Sequence, residues 1–98
     1  MAEESVDLRK ERARNSTSSE ELEKLAVDEN EDVRKAVAEN ANTPVPVLEK
    51  LAVDEYKPVR EKVAKNANTP VSLLEKFSED EDEFVRESVV TNPNTPVP

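Results

Sequence analysis
The stretch Asn40–Pro70 reads NANTPVPVLEKLAVDEYKPVREKVAKNANTP, and it begins and ends on the same five residues. Asn40-Ala41-Asn42-Thr43-Pro44 returns as Asn66-Ala67-Asn68-Thr69-Pro70, then as Asn92-Pro93-Asn94-Thr95-Pro96, at a spacing of 26 residues each time. LEKLAVDE at Leu22–Glu29 recurs unchanged at Leu48–Glu55 and, altered to LEKFSEDE, at Leu74–Glu81. Val33-Arg34, Val59-Arg60 and Val85-Arg86 keep the same interval. A period of this length marks a stack of supersecondary units, each covering its neighbour.

Within one unit the pattern is helical. Thr43 suits an N-cap and Pro44 a first helical position, where no backbone donor is needed. Pro46 still falls inside the first turn. Val47, Leu48, Leu51 and Ala52 share one helical face, so a helix of about nine residues, ~13 Å long, is expected to end near Asp54. Asp54–Lys57 reads as a turn and Pro58 as the opening of a second helix, with Val59, Val63 and Ala64 inward. Asn66 is expected to end that helix in the left-handed conformation, standing in for glycine in a chain that has none. Thr17 occupies the cap position of the preceding unit.

The fold class this predicts is all-α: an α-solenoid of about three 26-residue two-helix repeats with an N-terminal capping helix, residues 1–98 forming one domain. The repeats are 15–40, 41–66 and 67–92. The cap is placed at 3–14, because DLRKERARN (Asp7–Asn15) parallels DVRKAVAEN (Asp32–Asn40) with Glu11 and Arg12 replacing Ala36 and Val37. Polar substitution of that kind closes an open solenoid end. Residues 93–98 start a further repeat and stop. The edge carrying Val85, Val89 and Val90 is therefore expected to be partly open, and either the chain is a fragment or that edge meets another chain, self-association included.

Composition fits a thin stack better than a globule. Apolar residues are 35%, aromatics 3% and charged residues 38%. Such a balance permits disorder, but a disordered chain has no reason to hold apolar residues in register. With no cysteine and no histidine, disulfides, thiolate or imidazole metal ligands and the commonest neutral-pH base drop out. No apolar run approaches the ~18 residues of a membrane span, and the N-terminus lacks an apolar signal region, so a cytoplasmic location is expected. The net charge is −9. It is uneven: residues 15–40 and 67–92 are each −5, residues 41–66 are +1, and residues 1–14 balance to zero. Nucleic acid needs a basic stripe, so a basic or mixed protein partner is expected instead.

Each conspicuous residue class has an architectural reading. Arg34, Arg60 and Arg86 recur with Asp28, Asp54 and Asp80, and each arginine is expected to fork onto a carboxylate of its own or the neighbouring unit. The paired asparagines are expected to bond turn backbone. Asp28, Asn30 and Asp32 have the 1-3-5 spacing of a calcium loop, with Glu39 at position 12. Position 6, however, is Val33 where the loop needs glycine. The carboxylate run Glu79–Glu83 reads as a solvated turn, and Lys57, Lys62 and Lys65 as salt-bridge partners between repeats. Tyr56 and Phe84 fall in inter-helix turns, and the pattern leaves open whether each ring is an exposed anchor or folds over a neighbouring helix end. Tyr56, Lys57 and Phe84 are thus the candidate partner-binding residues; no catalytic, cofactor-binding or metal-binding residue emerges.

The order NxNTPxxxLxxLAxDxxxxVRxxVAxN resembles the leucine-rich repeat variant family, over about 80 residues. The resemblance implies two short helices per repeat, one often of 3₁₀ type, stacked into a right-handed superhelix related in style to HEAT repeats. It supplies no catalytic activity. The spacing here is slightly longer than the family's usual repeat, and any cysteine-bound cluster found in that family has no ligands here. Together these readings describe a non-catalytic scaffold for protein–protein interaction; the alternative is a regulatory or structural fragment or subunit of a larger repeat assembly.

Overall fold
The computed structural model describes residues 4–96. They form seven α-helices and, among the described residues, no strand: α1 (Val6–Asn15), α2 (Ser19–Leu25), α3 (Glu31–Glu39), α4 (Val45–Leu51), α5 (Lys57–Lys65), α6 (Val71–Phe77) and α7 (Glu83–Thr91). Long and short helices alternate. The long ones, α1, α3, α5 and α7, pack on one another in series, while α2, α4 and α6 each bridge the two long helices that flank them. This alternation fits a helical repeat and produces a body of 54 × 24 × 17 Å.

Local chemistry explains where each helix starts. Asn30 and Asp82 cap α3 and α7, each side-chain oxygen accepting two first-turn backbone N–H groups, and acidic residues follow at the positive end of the helix dipole. Ser18 caps α2 with one bond, its hydroxyl oxygen accepting the Glu21 N–H. Pro44 and Pro70 occupy the N-cap positions of α4 and α6, with no side-chain cap bond. The cap therefore falls one residue later than the sequence suggests, on Pro44 and Ser18 instead of Thr43 and Thr17. Thr43 and Thr69 instead turn backward. Each is fully buried, and each hydroxyl donates to a carbonyl in the last turn of the preceding long helix, Thr43 to Val37 and Thr69 to Val63, both at 2.6 Å. Burial decides this: an orphan carbonyl inside the stack costs more than an unassisted first turn on its surface.

The asparagine expectation is also corrected. Asn40, Asn66 and Asn92 end α3, α5 and α7 in extended conformation, Asn66 at φ −68° and ψ 130°. No described residue has a positive φ. Other boundaries shift slightly. The cap helix spans Val6–Asn15 where 3–14 is expected, and residue 3 lies outside the described residues, as do residues 97 and 98 of the final 93–98 segment. Helix α4 stops at Leu51, with Ala52 as its C-cap. Lys57 and Phe84 lie inside α5 and α7, not in the turns before them. The short helices are α-helical, not 3₁₀.

The core follows the apolar beat. Leu22, Leu48 and Leu74 from the short helices meet Val33, Val59 and Val85 from the long ones, all essentially fully buried. Each such leucine contributes about 2 kcal/mol of burial. Ala13, Ala38 and Ala64, one per long helix, are at 0% exposure because the next long helix lies directly over them.

Candidate functional site
Two ladders of polar side chains run through the stack. In the first, Arg9 holds Asp28, Arg34 holds Asp54 and Arg60 holds Asp80, the Nε–Oδ2 distances being 2.8, 2.8 and 3.0 Å. In each pair an Nη2 donor takes the other carboxylate oxygen. Each fork therefore joins a long helix to the turn ahead of the next one, so the arginines choose the neighbouring unit over their own. A third donor closes on the arginine's own side: Arg34 and Arg60 Nη1 donate to the carbonyls of Asp28 and Asp54 at 2.8 and 2.7 Å. The Asp54 and Asp80 carboxylates also accept backbone N–H bonds, from Tyr56 and Asp82. Hydrogen bonding to the aspartates raises the Arg34 and Arg60 guanidinium pKa values above their ordinary value, against the pull of burial. Burial pushes the Asp80 carboxyl upward, yet Arg60, the Asp82 N–H and Arg86 together hold it below the usual carboxylate range. Arg86 repeats only the intrahelical half of the pattern, donating to the Asp80 carbonyl at 2.6 Å.

The second ladder was only half legible in sequence. Each asparagine Oδ1 accepts the N–H two residues on, as an Asx turn does: Asn42, Asn68 and Asn94 donate to Asn40, Asn66 and Asn92. The amide, however, reaches back to the preceding unit. Asn40 donates to the Ala13 and Ser16 carbonyls, Asn66 to those of Ala38 and Asn40, and Asn92 to those of Ala64 and Asn66, at 2.7–3.0 Å. These are buried carbonyls at a helix C-terminus, which would otherwise be unpaired. Arg9, the first rung of the arginine ladder, stands in the DLRK segment at the position matching Arg34. Its sequence signal was therefore present, although that segment reads first as a polar cap.

The residues of the acidic spacing are consumed by architecture. Asp28 takes Arg9 and the Asn30 N–H, Asn30 caps α3, and Val33 is in the core.

The candidate partner-binding residues do not converge on one spot. Tyr56 is the N-cap of α5, half-buried and packed against the core. Lys57 is exposed, with Nζ 3.7 Å from Asp82; a rim pair of this kind contributes about 0–1 kcal/mol. Lys65 pairs with Glu61 within its own helix, not across repeats as expected. Phe84 is 57% exposed and lies along a groove of about 340 Å³ between α5 and α7, with Glu61, Lys65, Glu87 and Val90. The matching groove between α1 and α3 is lined by Lys10, Arg14, Asp32, Lys35 and Glu39, where Asp32 holds the place of Phe84. Among the described residues no group of three acidic side chains is arranged to hold a metal ion, and no helix is long and apolar enough to cross a membrane.

Identical inter-unit bonds repeated down a single row of helices define a helical-repeat protein. Residues 31–55, from the start of α3 through α4 to the turn before α5, match the model of the family described as leucine rich repeat variant. No curated protein and no solved structure matches the chain.

Proposed function
We propose that this chain is a non-catalytic scaffold that binds other proteins, built as a right-handed α-solenoid of about three 26-residue two-helix repeats behind the cap helix α1, and working in the cytoplasm. The observation that carries the reading is the division of labour among side chains. Arginine, aspartate, asparagine and threonine at the repeating positions are spent on joining units, which makes the row of helices rigid. Phe84 breaks the repeat and supports nothing in the core, and a large exposed ring on a rigid element is the type of residue that anchors a partner. Lys57 and the half-buried Tyr56 lie one repeat earlier on the corresponding edge. The partner is a protein with basic or mixed charge, since the acidic units repel nucleic acid.

The test is capture of partners from the source cell with the wild type and with Phe84→Ala and Lys57→Glu, each first checked for an unchanged thermal melt. Recovery of a protein by the wild type and its loss with Phe84→Ala is the expected result. A partner that both variants retain places the binding surface elsewhere, and recovery of none sinks the scaffold reading.

A further inference from the structure
The asparagine ladder is continuous, and its members leave no polar group idle. Asn40, Asn66 and Asn92 are at 4%, 6% and 4% exposure. In Asn66 the backbone N–H donates to the Val63 carbonyl, Oδ1 accepts the Asn68 N–H, and Nδ2 donates to the Ala38 and Asn40 carbonyls. The Asn66 carbonyl in turn accepts the Thr69 N–H and the Asn92 amide. Asn40 stands in the same way between the Ser16 carbonyl and the Asn66 amide. Amide-to-carbonyl bonds therefore run unbroken from Asn92 through Asn66 and Asn40 to Ser16, past the C-terminal ends of all four long helices.

Each asparagine has two separable tasks. Its oxygen orders the turn two residues on, inside one unit. Its amide reaches 24–28 residues back, into the unit before. If one unit loses its order, bonds are lost on both sides of it. The unit before loses the donors that close its long helix, and the unit after is left with an amide that has no acceptor. A buried group without its partner carries its full desolvation cost. A stack ordered only in part is therefore penalised at every boundary, and a unit of one short and one long helix is too small to stand alone.

We infer that this run of amides is a coupling device: α1 to α7 order and disorder as one body, and the amide arm, not the turn, couples them. The arginine ladder runs parallel to it at the other ends of the long helices. That ladder is charged and partly in water, so salt weakens it in a way that it does not weaken neutral, buried amides. Opening of one unit is thereby tied to opening of its neighbours. This coupling lies within the stack and does not depend on which partner the scaffold binds.

Urea unfolding of the full chain, read by two probes, tests it. Far-UV circular dichroism sums all seven helices. Fluorescence of Tyr56, the only tyrosine in a chain without tryptophan, reports the start of α5. In the wild type the two curves should superimpose. Asn92→Asp keeps the size and the oxygen that accepts the Asn94 N–H, but sets an acceptor against the Ala64 and Asn66 carbonyls. In this variant α6 and α7, about a quarter of the helical residues, should melt in an earlier step that Tyr56 does not follow. Asn92→Ser, which shortens the side chain without adding charge, repeats the test should Asn92→Asp not fold. Thr95→Val is the control: it removes a bond to the Val89 carbonyl at the same helix end, six residues away and inside one unit. It should shift the midpoint and leave the curves superimposed. Separate curves in the wild type, superimposed curves in the Asn92 variants, or curves that part in Thr95→Val each overturn the inference.

Discussion

Arg60 and Arg86 stand in the same sequence context, one repeat apart, and replacing each with alanine should have very different consequences. Arg60 joins α5 to the turn before α7 through two donors onto Asp80, at 3.0 and 3.2 Å, and a third onto the Asp54 carbonyl at 2.7 Å. Its side chain is only 10% exposed and that of Asp80 only 12%. Truncation removes three charge-assisted bonds and leaves the Asp80 carboxylate largely out of water, without its counter-ion and beside Glu81. Breaking a buried pair from one side costs about 3–5 kcal/mol. Asp80 keeps its bond from the Asp82 N–H, so the lower end, about 3 kcal/mol, is expected. For a domain of this size that corresponds to a fall in Tm of roughly 12–24 °C. Arg86 is exposed and makes a single bond, to the Asp80 carbonyl, so Arg86→Ala should cost no more than about 0.5 kcal/mol, as an ordinary surface change does. Urea and thermal unfolding followed by far-UV circular dichroism, at a few micromolar to keep chains apart, measures both. Losses that agree within about 0.5 kcal/mol would refute the claim that the neighbouring unit, not the Val-Arg motif, gives the arginine its energetic weight.

Two further outcomes follow from the same bonds. Thr69→Val keeps the volume but leaves the buried Val63 carbonyl without its donor, and should cost about 1–2 kcal/mol; a variant as stable as the wild type in urea would mean that the hydroxyl does not close the preceding helix. Because Asp80 is held below the ordinary carboxylate range, its contribution is complete above the unfolded-state value of about 3.9 and is lost as pH falls through the lower folded value. The gap in Tm between the wild type and Asp80→Asn should therefore be constant from pH 7 to about 5 and narrow below about 4; a gap as wide at pH 3 as at pH 7 would contradict the assignment.

Much of the helical core could be read directly from the chain. Leu22, Leu48, Leu51, Val59 and Val63 fall at helical spacing, and all are buried; periodic apolar patterning depends on local geometry that sequence alone specifies. The cap positions were less legible. Threonine and asparagine are good at several local tasks, and only the presence of a buried carbonyl nearby determines which task each performs. Thr43 and Asn66 carry the usual signals for a helix start and a left-handed helix stop, and both were drawn off to carbonyls of preceding helix ends. The fate of Phe84 and Val90 was not written in their residue types either: Val89 is buried and Val90, its neighbour in sequence, is exposed.

By itself, then, the sequence determined the all-helical class, the 26-residue beat and the identity of the residues that join one unit to the next. The direction of those joints was decided only by the tertiary structure. An arginine can reach an aspartate in its own unit or in the next, and an asparagine amide can bond its own turn or a helix end two dozen residues back. Packing one long helix over another buries the donors and acceptors between them. The cost of leaving any of them unpaired then selects the partner across the interface.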